Sequence, residues 1–413
     1  MRIAIVGAGI SGLVAAHLLH ARHEITVFES GAYAGGHTNT IRVDTAHETH
    51  HVDTGFIVFN DRNYPEFTQL LAKLGVEHQP SRMSFAVADE RGDFEYSSGS
   101  VGGLFAKASH AVSPAFQRMV VDYVRFNRKG RELLADPSAN GRPSLRDWLD
   151  ECGFSRAFVE RLIVPQASAV WSADPEQMWS FPARYMVEFF DNHGMLDLTG
   201  RPKWMTVKGG SQRYVERLVA PFRDRLRLSC PVRRVERFED RVEITPVDGE
   251  QEAFDEVVLA VHSDQALRML SDASAAEREI LAAIPYQANE AVLHTDPSLL
   301  PRRRRAWSSW NYHLMQEPPG RTTVTYHMNR LQSLRADREF CVTLNRTEAI
   351  APERVIRTIA YAHPVFGVKS PAAQKRHHEI SGVRRTHYCG AYWGWGFHED
   401  GVVSALRACA PLL

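Results

Sequence analysis

The first thirty residues alternate between short apolar runs and one longer run with helical spacing. The segments 2–6 and 24–28 are rich in β-branched residues, whereas the apolar residues of 10–21 recur every three or four positions. Glycines fill the connection between the first run and the second. The pattern predicts a strand, a tight turn, a helix and a second strand, which together form a βαβ unit.

The rest of the chain continues this mixture of strands and helices. Residues 285–345 alternate apolar and polar positions, as in an antiparallel sheet with one solvated face. The other predicted elements are extended segments over 41–43 and 51–59, a helix over 65–74, a hairpin over 83–96, helices over 116–134, 144–152 and 155–164, strands over 225–247 and 255–261, and a short C-terminal helix. The predicted fold class is α/β, or α+β overall.

The length of 413 residues exceeds what one hydrophobic core normally serves, so we expect two lobes. The sequence contains no internal repeat and no long linker that would separate them. We therefore predict a Rossmann-type dinucleotide-binding domain whose segments are interleaved with a second lobe of antiparallel sheet plus helices.

The composition excludes several classes of protein. Lysine plus arginine (49) balance aspartate plus glutamate (49), which gives no indication of a nucleic-acid partner. The five cysteines are odd in number and widely spaced, which argues against a disulfide framework and favours a reducing, cytoplasmic compartment. No run approaches the roughly 20 apolar residues of a membrane-spanning helix. Because the predicted fold begins at residue 2, we expect no cleaved leader.

The connection between the first strand and the helix carries the glycine spacing of a dinucleotide-binding turn. Gly7 would make the tight turn, Gly9 would let a pyrophosphate approach the backbone, and Gly12 would let the helix pack on the strand. Glu29 ends the second strand, where an acidic side chain meets the ribose hydroxyls in such folds. A glycine turn with a chance acid is the alternative, and the turn alone does not separate FAD from NAD.

Four segments resemble the FAD-dependent amine-oxidase-like superfamily, which includes monoamine and polyamine oxidases, protoporphyrinogen oxidase and carotenoid desaturases. They are the N-terminal unit ending in Glu29 and Ser30, the tripeptide Gly35-Gly36-His37, the pair 207–211 and 228–235, and the C-terminal stretch 388–406. In that family the second segment is commonly Gly-Gly-Arg, and the last often has Gly-Asp where this chain has Gly390-Ala391. The exchange at His37 removes a permanent positive charge near the pyrophosphate.

The resemblance implies one bound FAD and no metal. The residues that it assigns to the cofactor are Gly7, Gly9, Ile10, Ser11, Gly12, Glu29, Ser30, Gly35, Gly36, His37, Thr54, Gly55, Phe56, Val232, Gly390, Ala391, Gly401 and Val402. It also implies a discontinuous FAD-binding domain over 1–75, 205–270 and 380–413, with a substrate-binding lobe over 76–204 and 271–379.

Two motifs, 51–60 and 394–401, resemble more narrowly a bacterial flavoprotein group associated with cyclopropane-fatty-acyl-phospholipid synthases, which points to lipid chemistry. No second Gly-x-Gly-x-x-Gly follows a strand, so the substrate itself would reduce the flavin. The chain has no lysine between Lys208 and Lys369, the region where amine oxidases usually place a lysine beside the flavin.

We therefore expect an FAD-dependent oxidoreductase of the oxidase or desaturase type. It would remove a hydride equivalent from a small apolar, fatty-acyl or lipid-linked substrate to flavin N5. An amine oxidase is one alternative. A non-catalytic flavin-binding accessory protein in lipid modification is another.

The resemblance places an aromatic group near the flavin. Tyr392, Trp393 and Trp395, together with Phe397, would either line the substrate pocket or fill the joint between the lobes. A second aromatic group, Trp307, Trp310 and Tyr312, alternates on one face of a predicted strand. It would either line the pocket or pack in the core, and the core is favoured.

Three neighbouring residues are the candidates for polar chemistry near the flavin. His398 and Glu399 would handle a proton, and for the histidine a solvated or capping role is the alternative. Asp400 is placed to cap a helix over 401–409, which would aim the N–H groups of Val402 and Val403 at the cofactor.

The basic segment Arg302–Arg305 follows two leucines and precedes Trp307, a composition suited to anionic lipid head groups. We expect either peripheral contact with the inner face of the membrane or a solvated turn. The histidine pairs 50–51 and 377–378 lack further ligands at metal spacing and are expected at the surface.

Overall fold

The computed structural model describes residues 1–45, 48–139, 143–197, 199–317 and 320–413. Within these ranges the strands are β1 (Arg2–Val6), β2 (Glu24–Phe28), β3 (Thr40–Asp44), β4 (Thr49–Asp53), β5 (Val58–Asn60), β6 (His78–Pro80), β7 (Phe85–Asp89), β8 (Glu95–Ser97), β9 (Trp204–Val207), β10 (Leu226–Arg227), β11 (Val232–Arg237), β12 (Val242–Pro246), β13 (Glu252–Phe254), β14 (Glu256–Leu259), β15 (Tyr286–His294), β16 (Trp310–Leu314), β17 (Val324–His327), β18 (Cys341–Leu344), β19 (Val355–Pro364) and β20 (Thr386–Tyr388).

The helices within the same ranges are α1 (Ile10–Leu19), α2 (Pro65–Lys73), α3 (Val101–Leu104), α4 (Pro114–Ala135), α5 (Leu145–Glu151), α6 (Arg156–Phe158), α7 (Val164–Trp171), α8 (Pro175–Met178), α9 (Ala183–Asn192), α10 (Gln212–Val219), α11 (Ser263–Met269), α12 (Ala275–Ala282), α13 (Met328–Leu331), α14 (Ser370–Lys375) and α15 (His398–Cys409).

A parallel sheet carries the glycine turn. Its strand order is β10-β2-β1-β14-β20, so it draws on distant parts of the chain. Alternate side chains of β1 enter two different cores. Ile3 and Ile5 pack with the helices α1, α10 and α15, whereas Ala4 and Val6 pack with the strands β11–β13. Burial on both faces explains why this strand reads as one continuous apolar run. The predicted βαβ unit is confirmed.

The second large sheet has the order β19-β15-β18-β17-β16-β7-β8. Its neighbouring strands are antiparallel except for β7 and β16, which run parallel. The alternation over 285–345 therefore predicts most of this sheet, and the hairpin over 83–96 is β7 and β8. The parallel pair brings together strands that are distant in sequence, so no hairpin turn forces them to be antiparallel.

The helical region between β8 and β9 is longer than predicted. Helix α6 continues through a π-helical turn, Val159–Ile163, into α7 instead of ending near residue 164. Ser144 and Ser155 cap their helices as expected, because each hydroxyl accepts a hydrogen bond from the backbone N–H three residues later. Helix α9 was not predicted, although one of its faces is buried.

The segment Arg302–Arg305 packs against the hairpin of β7 and β8. Arg303 pairs with the buried carboxylate of Glu95, and the guanidinium of Arg304 lies 5.1 Å from the centre of the Trp307 ring. The two leucines that precede the segment are buried. The apolar half of the predicted lipid-contact motif is therefore inside the protein. Within the described ranges, no helix has the length and hydropathy needed to span a membrane.

Two histidines expected at the surface are buried. His50 packs against Phe340 with 5.2 Å between ring centres, and His377 Nε2 donates to the carbonyl oxygen of Tyr388 at 2.8 Å. The prediction that these two histidines lie at the surface is therefore wrong. The residues that cover them, Phe340 and Tyr388, lie on other parts of the fold, which the local sequence does not reveal.

A buried ion pair joins β11 and β20 to α12. Arg237, whose side chain is 0% exposed, donates to both oxygens of Glu277 and, at 3.0 Å, to Asp272. Tyr388 Oη donates to Glu277 Oε1 at 2.6 Å. Burial works to raise the pKa of Glu277, but the hydrogen bonds from Arg237 and Tyr388 outweigh it and lower that pKa to about 2. The pair fixes the end of β20, from which the chain runs into Gly390.

Replacing Glu277 by glutamine should destabilise the fold, because Arg237 would stay charged and buried without a counter-ion. We expect the free energy of unfolding at pH 7 to fall by about 3–5 kcal/mol in chemical denaturation. The folded pKa of Glu277 lies below its ordinary value of 4.5, so the wild-type contribution is present above pH 4.5 and is lost as the pH falls toward 2.

Glu279→Gln is the matched control, because Glu279 lies on the same helix but is 68% exposed where it pairs with Arg376. We expect it to cost less than about 1 kcal/mol. Equal losses from the two variants would contradict the assigned role of the buried pair.

Candidate functional site

The glycine turn between β1 and α1 is closely packed at two of its three glycines. Gly7 has a φ of +102°, and a Cβ there would lie 2.5 Å from the carbonyl oxygen of Ala260. A Cβ on Gly12 would lie 1.9 Å from the carbonyl oxygen of Gly7, where helix and strand meet. A Cβ on Gly9 would meet no atom within 4 Å. Of the three glycines, Gly9 therefore faces the open space that a ligand needs.

That space is part of a cavity of about 1900 Å³. Pockets that hold one drug-sized ligand measure roughly 300–1,000 Å³, so this cavity has room for a dinucleotide and a substrate. It brings together the predicted cofactor residues Gly7, Gly9, Ile10, Ser11, Glu29, Ser30, Gly35, Gly36, His37, Thr54, Gly55, Phe56, Val232, Gly390 and Ala391.

The remaining predicted cofactor residues lie outside the cavity lining and pack helices. Gly12 serves the contact of α1 with β1. A Cβ on Gly401 would lie 2.7 Å from Ile10 Cγ2, and Ser11 Oγ donates to the carbonyl oxygen of Gly401 at 3.0 Å. Val402 is buried in the same core. These residues pack α1 against β1 and α15, and they support the cavity wall without facing the cavity.

Glu29 stands at the carboxyl end of β2 and holds the loops beside it. Its Oε2 accepts a hydrogen bond from the backbone N–H of Ala8 at 2.7 Å, and its Oε1 accepts one from Gly31 at 2.7 Å. The carboxylate is half-buried and lines the cavity. This is the position from which an acidic side chain reaches the ribose of a dinucleotide.

The segment Gly35-Gly36-His37 closes over the glycine turn. Gly35 N donates to the carbonyl oxygen of Ala8 at 2.8 Å, and a Cβ on Gly36 would lie 3.1 Å from Gly9 Cα. Both glycines have positive φ values, +127° and +59°. The two backbones therefore approach more closely than larger residues would allow.

His37 extends from this segment into the cavity. Its ring stacks on Tyr361 with 4.7 Å between ring centres, and its Nε2 is buried without a hydrogen-bond partner among the described residues. Burial, followed by the proximity of other histidines, lowers the pKa of His37 well below its ordinary value. The neutral ring offers one free nitrogen where relatives commonly carry a charged guanidinium.

These observations fit an FAD bound along the cavity. The open face of Gly9, the ring of His37 and the carboxylate of Glu29 all line the same continuous space, and the buried Nε2 of His37 has no partner among the described residues. A pyrophosphate needs a close approach to the backbone, which Gly9 supplies.

Helix α15 begins earlier than predicted. It starts at His398, and the N–H of Gly401 already donates to the carbonyl oxygen of Phe397 at 3.1 Å. The N–H groups of Val402 and Val403 therefore lie inside the helix, and the prediction that they face the cofactor is wrong. Asp400 sits in the first turn and accepts a hydrogen bond from Phe397 N at 2.9 Å. Burial raises the pKa of Asp400 to about 7.

His398 lines the cavity but is held as a neutral ring. It stacks on Phe56 with 3.6 Å between ring centres, and its Nε2 lies 2.8 Å from Tyr214 Oη and 3.1 Å from Thr38 Oγ1. Burial lowers the pKa of His398 to about 3. At neutral pH the ring is therefore uncharged and cannot act as a cationic acid. Its contacts with Phe56, Tyr214 and Thr38 favour a role in holding the cavity wall in place.

Glu399 points away from the cavity and caps α2. Its two oxygens accept hydrogen bonds from the backbone N–H groups of Glu66 and Phe67, both at 2.9 Å. These are N–H groups that the helix itself leaves without partners. The structure therefore gives Glu399 a capping role instead of the predicted role in proton handling.

The predicted aromatic group divides between cavity and core. Tyr392, Trp395 and Phe397 line the cavity, whereas Trp393 does not. Trp393 is buried with its ring edge against His377, 4.5 Å between centres. In the other aromatic group, Trp310 also lines the cavity, although we expected it in the core.

Sequence reasoning missed several residues that line the cavity. Tyr361 and His363 occupy one face of β19, and Leu162 lies in the π-helical turn. Arg201 and Lys203 precede β9. The spacing of Tyr361 and His363 by two residues on a strand was an available signal, and π-helical turns are frequent at functional sites. Nothing local marked Arg201 or Lys203.

The parallel sheet, the glycine turn and the cavity are those of the FAD-dependent amine oxidase fold, and the sequence matches a family of flavin-dependent oxidoreductases. The chain belongs to the flavin containing amine oxidoreductase family, whose sequence model matches residues 10–331. FAD is the usual cofactor of this family, in agreement with the prediction from the glycine segments.

Individual relatives are distant. The flavin-dependent L-tryptophan oxidase RebO of Lentzea aerocolonigenes is 25% identical over 273 residues, which are 60% of this chain and 54% of that protein. The chain thus matches about half the length of this curated relative. Cyclohexylamine oxidase from Brevibacterium oxydans IH-35A has a TM-score of 0.72 at 18% identity, covering 100% of this chain and 98% of that one. The CLA-producing fatty acid isomerase from P. acnes has a TM-score of 0.71 at 17% identity, with coverage of 100% and 98%.

Replacing Gly9 by leucine should remove bound flavin while leaving the fold intact, because the new side chain would fill open cavity space. We expect FAD affinity to fall at least tenfold, about 1.4 kcal/mol or more, by titration of the flavin absorbance bands. Gly367→Leu is the control, since a Cβ at Gly367 also meets no atom within 4 Å but lies outside the cavity lining. Wild-type affinity in the Gly9 variant would refute the assigned geometry.

Replacing Glu399 by alanine should lower the stability of the protein without removing its flavin, because α2 would lose its cap. We expect a loss of about 1–2 kcal/mol in the free energy of unfolding. Glu160→Ala, at a carboxylate that is 48% exposed and pairs with Arg156, is the control for the loss of a charge. A Glu399 variant with wild-type stability would argue against the capping role.

Proposed function

We propose that this protein is an FAD-dependent oxidoreductase that removes a hydride equivalent from an apolar substrate of the fatty-acyl or lipid-linked class. The observation that carries the proposal is the lining of the cavity beyond the nucleotide turn. That part is formed mainly by the apolar or aromatic residues Met83, Phe85, Leu104, Met119, Val120, Leu162, Val170, Trp171, Phe189, Met195, Trp310, Tyr326, Trp395 and Phe397.

The charges around the cavity also bear on the substrate. Among the described residues that line it, Glu29 is the only carboxylate, and it stands at the glycine turn. A protonated amine would therefore meet no counter-ion along the apolar part of the cavity, and a buried unpaired cation is costly. Lys203 is the only lysine among the same lining residues, and it is exposed. These features support a carbon skeleton over a cationic amine.

FAD, when bound, supplies the acceptor for the hydride equivalent. The residues that would hold it are the open backbone at Gly9, the carboxylate of Glu29 and the lining residue His37. The apolar wall excludes water and orients the substrate chain, which lowers the entropic part of the barrier.

The buried histidines of the cavity are poor proton donors at neutral pH. Burial lowers the pKa values of His262 and His363 to about 4 and that of His398 to about 3. His262 stacks on Tyr286 with 4.0 Å between ring centres, and Asn289 Nδ2 donates to His363 Nδ1 at 2.9 Å. The rings therefore serve as neutral, packed walls. When the hydride equivalent leaves the substrate, the proton lost with it would pass to solvent through the open part of the cavity.

Oxidation of an amine is the second candidate, because the chain resembles an L-tryptophan oxidase and a cyclohexylamine oxidase. The resemblance to a fatty acid isomerase supports the first candidate to the same degree. These relatives are 25% identical or less, so their substrates do not decide between the two candidates. We base the choice on the composition of the cavity lining.

Anaerobic mixing of the FAD-loaded protein with candidate substrates tests the proposal. We expect fatty acids or phospholipids with unsaturated, methylated or cyclopropane chains to bleach the flavin absorbance, and putrescine, cyclohexylamine and L-tryptophan to leave it unchanged. The Gly9→Leu variant controls for reduction that does not involve the site. Bleaching by the amines alone would identify an amine oxidase. No bleaching by any compound would favour a flavin-binding accessory protein.

A further inference from the structure

The charged residues that line the cavity separate into two groups. In the described part of the chain they are Glu29, Arg201, Lys203, Arg233 and Arg268. Three of them belong to the nucleotide end. Arg233 follows the segment in which Cys230 N donates to the carbonyl oxygen of Glu29 at 2.7 Å, and Arg268 is paired with Asp264 at 2.6 Å. Arg201 and Lys203 come from the connection between α9 and β9 and form a separate group.

Arg201 is held in place by neutral acceptors. Its Nε donates to the carbonyl oxygen of Asp197 at 3.1 Å, and its Nη2 donates to Tyr123 Oη at 3.3 Å. The nearby carboxylate of Asp197 is already paired with Arg131 at 2.6 Å and lies 3.8 Å from Arg62. The guanidinium of Arg201 is thus oriented at the cavity without a counter-ion.

Within the described residues the Lys203 ammonium forms no ion pair either, and a neighbouring carboxylate, that of Asp61, accepts a hydrogen bond from the Lys203 backbone N–H at 3.1 Å. None of the residues outside the described ranges is acidic, so no counter-ion for either cation comes from them. Both side chains are exposed while they line the cavity, which places them at its solvent-facing end. Both cations line the cavity without an ion pair, so their N–H groups are free to bind an anion that enters it.

An aromatic wall leads from these cations toward the cofactor end. Trp204, next to Lys203, lies parallel to His193 with 6.4 Å between ring centres, and His193 stacks on Phe189 at 3.9 Å. His193 also lies 5.8 Å from Phe397, the residue before α15. Burial lowers the pKa of His193 to about 4, so the wall is uncharged at neutral pH. An apolar chain lying along this wall would have its polar end at Arg201.

We infer that Arg201 and Lys203 form a binding site for the anionic head group of an amphiphilic substrate. The head group is a carboxylate or a phosphate, and the attached apolar chain lies along the aromatic wall. A guanidinium with free N–H groups and a flexible ammonium suit either anion. This inference rests on the proposed function and specifies its substrate class.

Equilibrium dialysis of the FAD-loaded protein against four probes with the same twelve-carbon chain tests the inference. The probes are dodecanoate, dodecyl phosphate, dodecanol and dodecylamine, each used below its aggregation concentration. We expect an anionic probe to bind most tightly. In the double variant Arg201→Gln/Lys203→Gln its dissociation constant should rise about tenfold, as for two partly solvated ion pairs, while that of dodecanol stays unchanged.

The matched control is the double variant Arg128→Gln/Arg156→Gln, which removes two exposed charges from helices of the same region but outside the cavity lining. It should bind dodecanoate and dodecyl phosphate as the wild type does. Raising the salt concentration should weaken binding of the anions to the wild type and to this control, and far less to the Arg201/Lys203 variant. The tighter of the two anions identifies the head group.

Equal binding of the anions by the wild type and the Arg201/Lys203 variant would overturn the inference, as would tighter binding of dodecanol or dodecylamine. This failure is distinct from failure of the proposed function. If acyl substrates bleach the flavin equally in both proteins, the function stands and the head-group site does not. If no acyl substrate bleaches it but anion binding is lost in the variant, the site stands and the function does not.

Discussion

Close approach of backbones at the glycine turn is the constraint on which the rest of the site depends. The carbonyl oxygens of Gly7 and Ala260 occupy positions that side chains at Gly12 and Gly7 would need, and Gly36 lies directly against Gly9. Strand β1, helix α1 and the loop after β2 therefore meet without intervening side chains. The same packing leaves Gly9 facing the cavity, so tight contact on one side and open backbone on the other arise together. Helix α15 is held to this unit through Ser11 and Gly401.

The cavity that opens from the turn changes character along its length. Near the cofactor end it is lined by Glu29 and by histidine rings that burial keeps neutral. Elsewhere the walls are aromatic and aliphatic, and the exposed cations Arg201 and Lys203 line the cavity without an ion pair among the described residues. The proposed substrate, an apolar chain with one anionic end, is chosen to match these three kinds of surface.

Several polar residues near the site stabilise the ends of helices and do not face the cavity. Glu399 was a candidate for proton transfer by its position next to His398, yet it caps α2. Asp400 was expected to begin a helix that in fact starts three residues earlier and to orient N–H groups that are already bonded. The sequence placed Asp400 correctly at the start of a helix, whereas no local pattern paired Glu399 with the start of α2. Adjacent helical residues point in different directions, so neighbours in sequence serve different parts of the structure.

The amino-acid sequence by itself determined the βαβ unit and its glycine turn. These depend on contacts within some forty residues, where glycine spacing and β-branched runs leave few alternatives. The class of cofactor followed from the resemblance of four segments spread along the chain, the last of which also indicated the C-terminal aromatic group. Only the tertiary structure decided which aromatics face the cavity, that Tyr361 and His363 join His37, and that Arg201 and Lys203 line the cavity as well. Those positions come from strands and loops separated by more than a hundred residues. Their neighbours are set by sheet order and lobe packing, which no local pattern encodes.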